Sequence, residues 1–317
     1  MIYFLYRLLV GLRNMLYDLN FFKKHASAIP VISVGNLSFG GTGKTPFVIY
    51  IAKLLVKKNL NPLIVSRGYK RSSKEHVLFN GASGLTSDEV GDEPLMISRE
   101  LPGIDILVNK NKLSSIRWAQ KFKSKYNAII IDDGFQMRSI KKALDIVLVD
   151  SKQSTKMLPW GTFREPFKNI KRADCVVYTK NPPSKNLEKK INRAGVLSFK
   201  CTPSFSLSNK SCKQGISFCG IGSPSFFIKT LERLSIKTIK HITFKDHQKY
   251  TEKTLKKIEK TLSQCSQKTF FTTHKDWIKL PRQFIKKYEG CYVKMSLQIE
   301  EGPAFEKILT NKTIGEN

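Results

Sequence analysis

Acidic residues are scarce in this chain. Its 317 residues include 25 Asp and Glu against 55 Lys and Arg, which gives a formal net charge of +30. Such a surplus fits nucleic-acid binding, attraction to an anionic membrane or substrate, or simply a lysine-rich proteome. Much of it is lysine scattered through polar stretches such as 185–190, so the charge alone does not choose among the three.

Cysteine patterns and long apolar runs are also missing. None of the six cysteines stands in a CxxC pair or at a zinc-binding spacing, so we expect free thiols in a reducing compartment. No apolar run reaches the roughly 18 residues of an ordinary transmembrane helix. The early apolar stretch lacks the small-residue cleavage site of a secretory signal. With 41% hydrophobic residues, the chain can nevertheless bury a core in one or two domains.

The first 22 residues have the pattern of an amphipathic helix. Its apolar stripe, at helical spacing, consists of Leu5, Leu8, Leu9, Leu12, Met15, Leu16 and Leu19. Polar residues such as Arg7, Asn14 and Asp18 lie on the opposite side. Such a helix either packs on its own domain or lies in the headgroup region of a membrane. Nearby aromatic residues, together with Lys23 and Lys24, favour the membrane interface.

From residue 30 onwards, short apolar segments alternate with segments long enough for helices. We predict a helix at 46–57 and strands at 31–34, 63–66, 104–108, 128–131, 145–149 and 174–178. Short apolar strands separated by helices indicate a mostly parallel sheet that is covered by helices on both faces. The sequence therefore predicts an α/β fold.

The composition changes at the turn-rich segment 181–184. Beyond it we predict helices at 225–234 and 252–263 and strands at 196–207, 216–222, 239–244, 269–273 and 292–299. We therefore expect an amphipathic helix at 1–25, a nucleotide-binding domain at 26–182, and a smaller α/β domain at 183–317 that closes the active-site cleft.

A glycine-rich loop lies between the first predicted strand and the following helix. The residues expected to bind nucleotide are Ser38, Phe39, Gly40, Gly41, Thr42, Gly43, Lys44 and Thr45. Glycines let successive backbone N–H groups point at phosphate oxygens, and the helix N-terminus adds the positive end of its dipole. Lys44 would reach the β- and γ-phosphates, and the Thr45 hydroxyl would bind Mg²⁺. Although Ser38 replaces the glycine of the strict motif, the context predicts a P-loop NTPase-like fold that uses ATP and Mg²⁺.

Carboxylates suited to phosphoryl transfer occur at two further places. Asp132 and Asp133 follow a buried strand, as in a Walker B motif, and they point to opposite sides if the strand continues, so that only one would contact Mg²⁺. Asp92 and Glu93 follow Gly91, where an acidic first turn of a helix is a sufficient explanation by itself. A kinase, however, needs a group that takes the acceptor's proton. Asp92 is a candidate for it, with His247 as a possible partner.

Several short motifs occur in order along the chain. They are Gly35-Asn-Leu-Ser with Gly-Gly-Thr-Gly-Lys-Thr-Pro46, Ser66-Arg-Gly-Tyr69, Gly91-Asp-Glu-Pro94, Asp132-Asp-Gly-Phe-Gln136, Asp145-Ile-Val-Leu-Val-Asp150, Leu158-Pro with Arg164-Glu-Pro166, Gly220-Ile-Gly-Ser-Pro224, Phe244-Lys-Asp-His247 and Thr273-His-Lys-Asp276. Together they closely resemble those of the tetraacyldisaccharide 4'-kinase family, and the resemblance covers nearly the whole chain.

The resemblance implies transfer of the γ-phosphate of ATP to the 4'-hydroxyl of tetraacyldisaccharide 1-phosphate, which forms the bis-phosphorylated lipid A precursor. It implies Asp92 as the base and His247 as its support. It assigns Glu93, Asp132 and Asp133 to the metal and Arg67 to the substrate or its phosphate; these roles are read from the matching motifs. We expect a monomer at the cytoplasmic face of the inner membrane, peripheral or monotopic, with a glycolipid partner and no nucleic acid.

Three positions depart from the family pattern. Met137 stands where the family usually has His, Lys70 replaces the last glycine of S-R-G-Y-G, and His274 replaces the glutamate of T-E-K-D. None of these changes touches the P-loop lysine, the threonine expected to bind Mg²⁺, or the expected base.

Two other classes of nucleotide-binding protein share part of this sequence pattern. A P-loop GTPase or partitioning ATPase would act as a switch, but guanine recognition usually needs [NT]-K-x-D, and in Thr273-His-Lys-Asp276 the lysine comes one place late. An ATP-using nucleic-acid binder would gather basic residues with stacking aromatics, and the sequence has no such motif. Salt titrations of binding to nucleic acid and to anionic vesicles distinguish this second class from a membrane enzyme.

Overall fold

The structure is a computed structural model that describes residues 2–73, 75–150, 156–179, 182–209, 212–265 and 268–315. Asn181, the first residue of the predicted break between domains, lies outside these ranges.

Strands β1 to β12, in chain order, span Val31–Asn36, Pro62–Ser66, Val77–Phe79, Ile106–Val108, Ala128–Asp132, Leu144–Val149, Cys175–Tyr178, Leu197–Leu207, Gln214–Cys219, Lys237–Thr243, Thr269–Thr273 and Glu289–Ile299. Helices α1 to α11 span Ile2–Asp18, Lys44–Lys57, Ser87–Val90, Asp92–Glu100, Lys112–Gln120, Lys185–Arg193, Pro224–Arg233, Glu252–Ser263, His274–Trp277, Arg282–Lys287 and Gly302–Ile314. A 3₁₀ helix covers Phe167–Arg172.

The strands form one sheet in the order β10-β9-β11-β12-β8-β7-β6-β1-β5-β2-β4-β3. Among the described strands, neighbours pair in parallel except at two places. The β12–β8 pair in the middle of the order and the β3–β4 pair at the edge are antiparallel. Strand β8 joins the two parallel regions, because its first residues pair with β7 and the rest with β12. The expected α/β fold with a mostly parallel sheet is confirmed, and the predicted strands recur within a few residues; the short edge strand β3 was not predicted.

Helices cover both faces of the sheet. One core cluster places Phe47, Val48 and Ile51 of α2 against alternate residues of the central strands. The opposite face of these strands packs against Ile116 and Ala119 of α5. Because both faces are buried, β1, β2 and β5 have no exposed residue and consist mostly of apolar residues.

The C-terminal helix α11 returns to the P-loop half of the molecule. Phe305 is fully buried and contacts the rings of Phe47, Tyr50 and Phe199. Residues of the predicted smaller domain therefore complete the core around α2. The domain boundary at 182/183, and closure of the cleft by the smaller domain, stay predictions.

Helix α1 packs through its polar side. Asn14 is buried and donates from Nδ2 to Glu165 Oε2 at 3.2 Å, and its carbonyl accepts from Arg138 Nη1 at 2.8 Å. The apolar stripe faces outwards, with exposures between 47% and 69% at Leu5, Leu8, Leu9, Leu12, Met15 and Leu19. No helix in the described ranges is long and apolar enough to cross a membrane.

Candidate active site

The P-loop, residues 38–45, leads from β1 into α2 at the C-terminal edge of the central strands. Gly40 and Gly43 have φ values of 102° and 82°, which favour glycine because a side chain would strain this conformation. Gly43 begins α2 without a side-chain cap. Two hydrogen bonds hold the loop at Thr42. Asn36 Nδ2 donates to Thr42 Oγ1 at 2.8 Å, and Thr179 Oγ1 donates to the Thr42 carbonyl at 2.7 Å. The uncapped amide groups of the first turn are thus available to an anion.

Ser38 is compatible with the loop for a local reason. It forms an isolated antiparallel bridge with Phe163, and its φ is not positive, so this position does not require glycine. The Ser38 carbonyl also accepts from Arg164 Nε at 3.2 Å. The departure from the strict motif therefore leaves the cradle intact.

Asp133 is fixed by the cations of the site. Strand β5 ends at Asp132, and Asp133 has a φ of 56°, so the strand does not continue. Arg164 binds both carboxylate oxygens of Asp133, at 2.8 and 3.0 Å, and Lys44 Nζ lies 3.7 Å from Oδ1. Burial opposes ionisation of this carboxyl, yet the hydrogen bonds from Arg164 and the charge of Lys44 hold its pKa well below the usual range.

Asp132 and Glu93 are two interacting carboxyls whose burial opposes ionisation. Asp132 is 3% exposed; its Oδ2 accepts from Ser66 at 3.2 Å, whereas its Oδ1 has no hydrogen-bond partner among the described residues. Burial raises the pKa of Asp132, and the nearby charge of Asp133 adds to this effect. Burial and the charge of Asp132 raise the pKa of Glu93 to about 7. A divalent cation fits this arrangement, because it would supply the missing partner of Oδ1 and favour both ionised carboxylates.

Asp92 faces the other half of the molecule. The carboxylate lies in the first turn of α4, and its Oδ2 accepts from His247 Nδ1 at 3.0 Å. Burial lowers the pKa of His247, and Lys275 acts in the same direction, against Asp92 and Asp246. The neutral imidazole therefore donates from Nδ1 to Asp92, and Nε2, 3.3 Å from Lys275 Nζ, accepts. The structure brings the expected base and its expected partner into direct contact.

Lys279, three residues after the Thr273-His-Lys-Asp276 motif, completes this side. Lys279 is 4% exposed and lies 3.7 Å from Asp92 Oδ2 and 3.2 Å from Oδ1 of the fully buried Asp276. Asp276 Oδ2 accepts from the Gly220 amide at 2.9 Å and from Thr273 Oγ1 at 2.7 Å. This buried cluster fixes the Gly220 loop and links it to the candidate base.

The sequence motifs predict no role for Arg164, Lys112 or Lys279. Arg164 stood in a recognised motif, whereas Lys112 has no sequence signal: its Nζ donates to the Asp132 and Asp133 carbonyls, the latter at 2.8 Å. Arg67, the expected substrate ligand, follows β2 and is exposed. Burial lowers the pKa of Lys112, and the positive charge of Arg67 acts in the same direction. Met137 packs on the cluster around α5.

Comparisons with known proteins show the family to which the chain belongs. Residues 1–314 match the family model described as Tetraacyldisaccharide-1-P 4'-kinase. The tetraacyldisaccharide 4'-kinase of Chlorobium phaeobacteroides is 33% identical over 98% of this chain and 95% of its own length. That of Aquifex aeolicus is 34% identical over 94% and 93% of the two chains. A crystal structure of LpxK from Aquifex aeolicus in complex with ATP aligns with a TM-score of 0.80 and 30% identity, covering 98% of this chain and 96% of that one. The chain belongs to the tetraacyldisaccharide-1-P 4'-kinase family.

Proposed function

We propose that this chain catalyses the reaction of its family in lipid A biosynthesis, with the residues of the candidate active site as its machinery. In this reaction the γ-phosphate of ATP is transferred to the 4'-hydroxyl of tetraacyldisaccharide 1-phosphate. The observation that carries this proposal is the joint placement of the site residues. An uncapped P-loop helix, a buried carboxyl pair and the Asp92–His247 contact meet at one edge of the sheet.

The phosphate groups of ATP bind the P-loop amides and Lys44, which is already directed to this place by Asp133. Thr45, Glu93 and Asp132 would hold Mg²⁺, and Asp133, bound by Arg164, would lie just behind them. When bound, the ion neutralises charge on the phosphate oxygens. Arg164 and Lys44 add fixed positive charge where negative charge develops during transfer.

Asp92 accepts the proton of the acceptor hydroxyl, and His247 holds the carboxylate in place through Nδ1. Lys279 Nζ lies 3.7 Å from Asp92 Oδ2 and gives the carboxylate a second neighbour beside His247. Arg67 lies on the open side and binds acceptor or phosphate. Since His247 and Lys279 come from residues 183–317, the proposed smaller domain completes the site when it closes over the cleft.

The test is incubation of the purified chain with labelled ATP, Mg²⁺ and tetraacyldisaccharide 1-phosphate in nonionic micelles, followed by separation of the lipids. We expect a bis-phosphorylated lipid. Asp92→Asn should lower kcat by about 10²- to 10⁴-fold, the usual range for a general base, while ATP affinity is retained. Glu252→Gln, which changes an exposed carboxylate that pairs with Lys256, is the matched control and should keep wild-type rates. Equal losses of turnover and ATP affinity in Asp92→Asn would contradict the role of base.

For location, we propose that the monomer works at the cytoplasmic face of the inner membrane, with the outward stripe of α1 in the headgroup region. The stripe supports this because its leucines are exposed although the helix is firmly attached through Asn14. Arg13, Lys23 and Lys24 add positive charge near anionic lipid.

Vesicle co-sedimentation tests this placement. Each leucine that leaves the membrane forfeits about 1.5–3 kcal/mol, so Leu8→Glu with Leu12→Glu should weaken binding to phosphatidylglycerol vesicles at least about 100-fold. Val56→Glu is the control, since Val56 is 46% exposed on α2 and Leu12 is 47% exposed. Unchanged vesicle binding of the double variant would refute the placement.

A further inference from the structure

A cavity of about 260 Å³ opens beside the Asp92–His247 contact. It is lined by Tyr69, Lys70, Asp92 and Lys249, among others, and by none of the P-loop residues. Its volume is below the roughly 300–1,000 Å³ of sites that enclose a whole drug-sized ligand, so it would enclose only part of a large acceptor. The candidate base is thus part of the wall of this cavity.

Close backbone contact fixes the wall of the cavity relative to Asp92. A Cβ added to Gly91 would lie 3.1 Å from both Gly68 Cα and its carbonyl carbon, and 3.2 Å from the Tyr69 carbonyl oxygen. Tyr69, whose ring centroid is 5.6 Å from that of His247, is 59% exposed. The loop that carries Tyr69 and Lys70 is therefore rigidly held next to the base, and it presents an open aromatic face to the cavity.

Lys70 stands out in this loop. It replaces the glycine of the family's S-R-G-Y-G pattern, although its φ of 62° is a conformation that favours glycine. Its ammonium group lies 5.6 Å from the Tyr69 ring and forms no ion pair with a described residue. A non-glycine residue kept in a left-handed conformation at an active site points to a function for its side chain.

Each of the other two lysines that line the cavity contacts a carboxylate. Lys249 pairs with Asp88 at 2.5 Å, and Lys279 lies between Asp92 and Asp276. Lys70 is thus the lysine of the lining that contacts no carboxylate in the described ranges. It is suited to an anionic group of the acceptor.

We propose that this cavity binds the phosphate-bearing sugar of the acceptor, with Lys70 contacting the 1-phosphate and Tyr69 covering an apolar face of the ring. The proposal rests on the function proposed above and adds a subsite for the end of the acceptor that does not react. A phosphate monoester on the acceptor and a phospholipid headgroup share the chemistry that Lys70 recognises, and the test separates them.

The experiment compares two acceptors, the tetraacyl disaccharide with and without its 1-phosphate, in nonionic micelles free of phospholipid. Lys70→Gly is the informative variant, because glycine adopts the local backbone readily and the protein should fold with an unfolding midpoint no lower than wild type. We expect its KM for the phosphorylated acceptor to rise about tenfold, the effect of one hydrogen bond to a charged group, with kcat unchanged. The KM for the acceptor without phosphate should not change.

Asn59→Gly is the matched control, since Asn59 has a φ of 60° after α2 and does not line the cavity. It should leave both KM values at wild-type level. If the wild type phosphorylates neither acceptor, the proposed function fails. If the wild type is active but Lys70→Gly raises the two KM values equally or not at all, the subsite is wrong. An effect that appears only when anionic phospholipid is added assigns Lys70 to a headgroup and also overturns the subsite.

Discussion

Replacing Lys279 by methionine tests whether the cluster beneath the candidate base is as critical as its burial suggests. Lys279 and Asp276 have side-chain exposures of 4% and 0%, and their charged atoms lie 3.2 Å apart. Methionine has nearly the same length, but it leaves Asp276 charged and buried and removes the neighbouring cation of Asp92. Removing one partner of a buried ion pair typically costs about 3–5 kcal/mol in the free energy of unfolding. That is a large part of the roughly 5–15 kcal/mol of a typical domain.

The chain supplies its own control for this change. Lys287 pairs with Glu259 at 2.9 Å on the surface, where the two side chains are 62% and 32% exposed. Solvent screening limits such a pair to about 1 kcal/mol or less, so Lys287→Met should change stability little. Both substitutions remove one lysine of an ion pair, and they differ mainly in burial.

Urea unfolding of the two variants gives the measurement. We expect Lys279→Met to lose at least about 3 kcal/mol and to lower kcat as well, because Asp92 loses its neighbouring cation. Adding Asp276→Asn should recover part of the stability, since the amide leaves no buried charge. Equal stability losses for Lys279→Met and Lys287→Met, or a loss below about 1 kcal/mol for the former, would refute the importance assigned to the cluster.

Three further predictions follow from the same geometry. Lys44→Ala should abolish detectable phosphoryl transfer and weaken ATP binding in calorimetry, because the P-loop loses its only side-chain ammonium. Activity should fall as the pH drops through the lowered pKa of His247, since protonation removes its acceptor at Nε2. Lys275→Met should move this acid limb to higher pH, because a positive neighbour that lowers the pKa is gone; a limb that stays in place would contradict the assignment. Phe305→Ala should cost about 3–5 kcal/mol in unfolding free energy by opening a cavity against Phe47.

The fold was largely predictable because each central strand is buried on both faces. An apolar run such as 128–131, set between helix-length segments, has few other interpretations. The pairing of strand β8 is a feature that the sequence does not predict. Its residues were predicted as one strand, but nothing in that run reveals that its first part pairs in parallel with β7 and the rest in antiparallel with β12. Pairing partners depend on tertiary packing and not on the strand's own sequence.

The site likewise contains residues that a local motif predicts and residues that only tertiary contacts place. Lys44 could be predicted because the loop, the strand and the helix form a local motif with a known mechanism. Asp133 could not be placed, since its orientation depends on the end of β5 and on Arg164, a residue 31 positions away. Lys279 lacked any signal because its role arises only when it is packed beside Asp276 and Asp92. Contacts that join distant segments need the folded structure.

In the proposed mechanism, the start of α4 joins the base to one of the residues that would hold the metal. Asp92 and Glu93 are consecutive, and successive residues of a helix point about 100° apart. Asp92 therefore reaches His247 in one half of the molecule, while Glu93 lies beside Asp132 in the other. Gly91 packs directly on the Gly68 backbone, which leaves this turn no room to move towards that loop. In the proposed roles, Asp92 as base and Glu93 at the metal are therefore fixed relative to each other by the first turn of α4, and His247 contacts that base at 3.0 Å.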